Sequence, residues 1–163
     1  MRHRLIAALL VPLALTAQEG WWMTEPIRWV QTNLRQVDAT LDAARLAYFG
    51  VSWGGALGAI LPAIEPRIKV NVLYVAGLCF QTALPESDQI NYVTRVTQPT
   101  LMLNGELDFY FPLEHSQRPM FDLLGTPPEH KKRLTYERGH TVPKTELIRE
   151  SLAWLDRYLG PVV

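Results

Sequence analysis

One serine in this chain stands on a glycine-flanked turn, Gly50-Val51-Ser52-Trp53-Gly54-Gly55. Glycines two before and two after it keep side chains away from a sharp bend, so the hydroxyl is held clear of the apolar run 46–49 that leads into it. A serine hydroxyl is a poor nucleophile at neutral pH. It needs a base beside it and an acid that orients the base. Four histidines are available: His3, His115, His130 and His140. His140 lies in Glu137-Arg138-Gly139-His140-Thr141, after a predicted strand and before a long predicted helix. Loops at the ends of parallel strands are where such a sheet assembles its sites. The candidate acid is Asp108, on the loop after the apolar strand that ends at Asn104-Gly105. The chemistry these three side chains could do is acyl transfer through the serine.

Taken singly, each residue has an ordinary explanation. Glycine and serine are common in turns, an aspartate often caps a helix, and a histidine is a frequent loop residue. Their joint order, Ser then Asp then His, each after a predicted strand, is what carries the signal. Glu106 lies on the same loop as Asp108 and is the alternative acid. His115 and His130 sit in helical or polar loop context and read as solvated. Ser87, Ser116 and Ser151 lack flanking glycines.

With these motifs in view, the sequence resembles the α/β-hydrolases, in particular the branch of dienelactone hydrolases, acetyl xylan esterases and prolyl-oligopeptidase-like enzymes. Three segments carry the resemblance. Gly50 to Gly55 fits that branch's Gly-x-Ser-x-Gly-Gly. Pro99-Thr100-Leu101 followed by Gly105-x-x-Asp108 fits its acid segment, and Gly139-His140 before a terminal amphipathic helix fits its histidine loop. The resemblance spans residues 24–160. It implies Ser52 as nucleophile, His140 as general base and acid, Asp108 as orienting carboxylate and the Trp53 backbone N–H as one oxyanion donor. It implies an ester as the small-molecule substrate and no cofactor. A prolyl-oligopeptidase-like peptidase, or a non-catalytic remnant of a hydrolase, are the alternatives. Trp53, Phe80, Phe109, Tyr110 and Phe111 are candidates for an apolar substrate pocket, or else ordinary packing.

In that family several strands precede the serine, together with a loop that gives the second oxyanion donor. Nothing between Met1 and Tyr48 matches that loop. The expected fold class is therefore α/β, a truncated α/β-hydrolase corresponding to the C-terminal half, with a parallel sheet of about four strands flanked by helices. An uncovered edge on the serine's strand would invite a homodimer, or the run 5–15 could fold back as a strand.

Composition narrows the class further. The 163 residues suffice for one domain with a sizeable core. Lys plus Arg and Asp plus Glu balance at 16 each, which gives no handle for nucleic acid or an anionic membrane. The single cysteine, Cys79, cannot make an internal disulfide and reads as a small buried apolar residue. No Cys/His spacing points to a metal. Residues 1–20 read as a leader or apolar N-terminal segment and residues 21–163 as the hydrolase domain. A basic start, an apolar stretch 5–17 and a polar turn at Gln18-Glu19 have the layout of a secretory signal. Cleavage there would make the protein secreted or periplasmic; without it the protein would be cytoplasmic. The stretch is too short to cross a bilayer comfortably.

The elements that must position the three residues are read from periodicity. Thr24-Glu25-Pro26 predicts a helix start. Residues 46–51 predict a buried strand and 54–64 a helix, shortened or bent at Pro62. Residues 68–75 are β-branched and predict the next strand, and 100–103 and 131–137 two more. Between them, 88–92 predicts a short helix and 112–124 a longer one, with Leu113, Met120, Leu123 and Leu124 inward. Residues 143–159 predict a closing helix with Ile148, Leu152, Leu155 and Leu159 on its buried face.

Overall fold

The computed structural model describes residues 46–160. The expected leader, the helix opened by Thr24 and the turn before residue 46 lie outside the described residues. Four parallel strands form one sheet in the order β1 (Leu46–Val51), β2 (Ile68–Tyr74), β3 (Thr100–Gly105) and β4 (Lys131–Tyr136). Between β1 and β2 run two short helices, α1 (Trp53–Leu57) and α2 (Leu61–Ile64). Helix α3 (Arg118–Leu123) precedes β4, and α4 (Lys144–Leu159) is the last of the described elements.

The middle strands are the apolar ones. β3 is buried throughout, and β2 nearly so. Strands covered on both faces read as continuous apolar runs, as these do. One face of the sheet packs Tyr48, Ile68, Leu73 and Met102 against Ala59, Val96, Met120 and Leu124. The other packs Val70, Val72, Leu101 and Leu103 against Val142 and Trp154. Leu101, Met102 and Leu103 thus alternate between two cores, as the two-residue period of a strand requires. Among the described residues β1 and β4 are the outer strands, and they are only part-buried.

Because all four strands run the same way, their C-terminal ends share one rim. Ser52 follows the end of β1, Asp108 lies three residues past the end of β3, and His140 four past the end of β4. Parallel pairing therefore brings three distant segments to one side of the molecule.

Three helical expectations need correction. The predicted helix 54–64 is two helices. Gly58, Ala59 and Ile60 each donate to a carbonyl three residues back, at 2.9–3.1 Å, which tightens the chain between α1 and α2. Pro62, without an N–H, falls in the first turn of α2, where a donor is dispensable. The helix predicted over 112–124 begins as a wide π turn, Leu113–Gln117, before α3. The Pro112 carbonyl accepts from both Ser116 N–H (2.9 Å) and Gln117 N–H (3.3 Å). The wide turn shifts the register of α3, so Met120 and Leu124 are buried but Leu123 faces outward.

On α4 the buried stripe is Leu147, Ser151, Trp154 and Tyr158, with Leu155 and Leu159 beside it. Ile148 and Leu152 are 48% and 56% exposed. The helix is turned by one residue from the expected face. Trp154 is the largest side chain on it, and seating Trp154 on the β2 and β3 aliphatics fixes the rotation. No described helix is long and apolar enough to cross a membrane.

Candidate active site

Ser52 occupies the single residue between β1 and α1. Its backbone has φ 54° and ψ −113°. A side-chain-bearing residue there stores about 1–3 kcal/mol of strain, which neighbouring bonds must offset. Ser52 N–H donates to the Tyr74 carbonyl at 2.9 Å, and the Ser52 carbonyl accepts from Ala56 N–H at 2.8 Å. The buried Tyr48 hydroxyl donates to the Gly54 carbonyl on the far side of the bend. Gly50 is forced by proximity: a Cβ there would lie 2.7 Å from the Gly54 carbonyl carbon and 2.8 Å from the Tyr48 ring.

The hydroxyl of Ser52 is 2.7 Å from His140 Nε2. On the other side of the ring, His140 Nδ1 is 2.7 Å from Asp108 Oδ2. The Asp108 side chain is fully buried and the His140 side chain 22% exposed. The second carboxylate oxygen, Oδ1, accepts from Tyr110 N–H (2.9 Å) and Phe111 N–H (3.2 Å). Asp108 thus caps its own loop with one oxygen and meets the imidazole with the other. An ionised carboxylate only accepts, which assigns the ring proton to Nδ1 and leaves Nε2 free to accept from Ser52 O–H. Glu106, the alternative acid, instead accepts from the Thr135 hydroxyl at 3.1 Å.

The histidine loop is tied back to β2. Tyr74 contributes its hydroxyl to Thr141 Oγ1 (3.2 Å) and accepts from Val142 N–H (3.3 Å). Its carbonyl is the one that holds Ser52. One residue therefore braces both the serine turn and the chain just after His140. Val75, next to it, also has positive φ, 46°, a second strained position on the same rim.

Trp53 N–H is the first donor of α1 and has no acceptor among the described residues. The Trp53 indole is half exposed. Of the aromatic candidates, Tyr110 stands edge-on to the His140 ring, with centroids 4.9 Å apart, and Phe109 stacks at a tilt on Tyr110 at 4.1 Å. Phe109 and Tyr110 are both largely exposed. Phe111 is buried, 5.9 Å from the imidazole centroid, and belongs to the packing. Phe80 is exposed and makes no ring contact with this group. Cys79 is half-buried rather than buried, and burial followed by the nearby Asp88 pushes its thiol above the ordinary range, away from the reactive thiolate. His115 is exposed, and His130 bonds the Tyr158 hydroxyl at 3.1 Å. Among the described residues, no group of three or more His, Cys, Asp or Glu side chains is placed to hold a metal ion.

Sequence reasoning missed Tyr48, Tyr74 and Gln117, whose polar atoms brace the three loops. Gln117 lies in the polar run Glu114-His115-Ser116-Gln117-Arg118, where nothing in the pattern singles out the one amide that is buried. Tyr48 and Tyr74 read as apolar strand residues, and nothing in the pattern shows where a phenol oxygen will end.

No protein-family model and no curated protein matches the sequence. Solved structures do. A cold-adapted esterase from an Arctic intertidal metagenomic library, known in native and zinc-bound forms, superimposes with TM-score 0.63 at 26% identity, over 76% of this chain and 53% of that one. An acetyl xylan esterase from Paenibacillus sp. R4 gives 0.57 at 20% identity, over 72% of this chain and 46% of that one. A protein described as a dienelactone hydrolase, from Klebsiella pneumoniae, gives 0.57 at 20%, over 72% and 54%. The chain spans about half the length of these solved relatives.

Proposed function

We propose that this chain, whose fold is an α/β-hydrolase fold of the dienelactone hydrolase type, is a serine hydrolase of carboxylic esters. The observation that carries the proposal is the unbroken run of contacts from Ser52 Oγ through the imidazole of His140 to the buried Asp108, 2.7 Å at each step.

In this reading Ser52 Oγ attacks the acyl carbon while His140 Nε2 takes its proton. Asp108 holds the ring and stabilises the imidazolium that forms. The carbonyl oxygen becomes an oxyanion, and the free N–H of Trp53 donates to it. The oxyanion then collapses and the bond to the alkoxide breaks. His140 gives its proton to the alkoxide, which departs as the alcohol while the acyl group stays on Ser52 as an ester. Water, deprotonated by His140, attacks that ester. The acid is released, and the proton returns to Ser52. Phe109 and Tyr110, beside the imidazole, supply an apolar wall for the alcohol or acyl group.

Esters are favoured over amides by the names of two structural neighbours, both esterases. The test is release of p-nitrophenol from short p-nitrophenyl esters by purified protein. Saturable turnover that His140→Ala abolishes supports the proposal. Turnover equal to that of the His140→Ala variant refutes it.

A further inference from the structure

We propose that Gln117 is a positioning residue for the Asp108 carboxylate, fastening both ends of the loop from which Asp108 meets His140. The inference rests on the serine-hydrolase reading above. Gln117 is fully buried on the wide turn between β3 and α3. Its Nε2 donates to the Gly105 carbonyl at 2.7 Å and to the Phe111 carbonyl at 2.7 Å. Those carbonyls lie three residues before and three residues after Asp108.

Of the two ends of a glutamine amide only the NH2 can donate, so the two carbonyl acceptors fix which way the side chain faces. Its Oε1 has no partner among the described residues, which leaves the two donated bonds as the amide's whole polar contribution. Phe111 is held through both of its backbone polar groups. Its N–H donates to Asp108 Oδ1, and its carbonyl accepts from Gln117. Gly105, at the other end, is the last residue of β3 and is paired in register with Tyr136 of β4. The side chain therefore ties the loop to the sheet's rim at one end and to the backbone that caps the carboxylate at the other. The π turn matters here, because its extra residue per turn is what carries position 117 inward beside buried Ser116.

Three variants test this. Gln117→Met keeps the approximate length and removes both donors. Gln117→Glu keeps the shape and, protonated in that buried setting, offers one donor. Ser116→Ala removes an adjacent part-buried bond, to the Leu78 carbonyl, that does not touch the Asp108 loop. The first readout is the Nδ1-bound proton of His140, followed by NMR in protein labelled with 15N-histidine and assigned by His140→Ala. The second is the split of kcat and KM on a p-nitrophenyl ester.

Gln117→Met is expected to lose solvent protection of the Nδ1 proton. Its kcat should fall by about 10²-fold at little-changed KM, the loss that displacement of a catalytic group by about 1 Å can produce. Gln117→Glu should lie between, and Ser116→Ala should keep the protected proton. A folded Gln117→Met with the wild-type proton signal and kcat overturns the proposal. So does loss of folding in both Gln117 variants while Ser116→Ala folds, since that would assign the residue to the core. If the wild type cleaves no ester, the esterase reading fails, yet the proton signal still decides the role of Gln117.

Discussion

Asp108 and His140 meet at 2.7 Å although neither lies on a strand and 32 residues separate them. The contact exists because β3 and β4 are paired from Thr100 with Lys131 to Gly105 with Tyr136, which starts both loops side by side. The buried carboxylate can serve the ring only as an acceptor.

Asp108→Asn keeps the size and removes the charge. The amide can present a donor to Nδ1, which would place the ring proton on Nε2 and leave no base for Ser52. A fall in kcat of about 10⁴-fold is expected, with the fold intact. Steady-state kinetics on p-nitrophenyl acetate and circular dichroism on the same sample check both halves.

Gly105 and Gly139 sit near the same contact but should differ sharply in their tolerance of a side chain. A Cβ on Gly105 would strike the carbonyl groups of Arg138 and Gly139, both backbone and unable to turn aside. A Cβ on Gly139 would find nothing nearer than the Leu107 carbonyl at 4.0 Å. Gly105→Ala should therefore destabilise by about 1–3 kcal/mol and push the histidine loop away from Asp108, lowering ester turnover. Gly139→Ala should stay within about 0.5 kcal/mol of wild type. Urea unfolding of the two variants distinguishes them.

The strands and the three loop positions were legible in the sequence because each rests on local chemistry. β-branched runs, glycines around a serine and an aspartate past a strand end all declare themselves within a few residues. The illegible features depended on distant partners. Ile148 and Leu152 make as good an apolar stripe on paper as Leu147 and Trp154, and only the shape of the sheet beneath favours Trp154. The π turn at Leu113–Gln117 reflects how Pro112 and the buried Gln117 are accommodated together, which no periodicity encodes. The break between α1 and α2 likewise reflects a tight local register on top of a proline that was visible.

Glu150 links the last helix to the outer strand, accepting from Lys132 Nζ at 2.8 Å and from Arg149. The Lys132 bond, then the Arg149 bond, hold its carboxyl below the ordinary glutamate range. A carboxylate with a depressed folded-state pKa contributes stability above its unfolded value, and that stability is lost as pH falls through the folded value. The Lys132 side chain is 46% exposed, so solvent screens the pair and the contribution is small. Glu150→Gln should cost about 0.2–1 kcal/mol near neutral pH and low salt. The difference should vanish as the solution is acidified below the ordinary glutamate range. Urea unfolding of both proteins at neutral and acid pH measures it.

The most direct measurement is covalent labelling of the serine itself. Purified protein treated with a fluorophosphonate should gain the mass of one phosphonyl adduct, mapped by peptide mass spectrometry to Ser52, and Ser52→Ala should gain none. A wild-type protein that stays unlabelled, or an adduct that persists in Ser52→Ala, would contradict the assignment of Ser52 as the nucleophile.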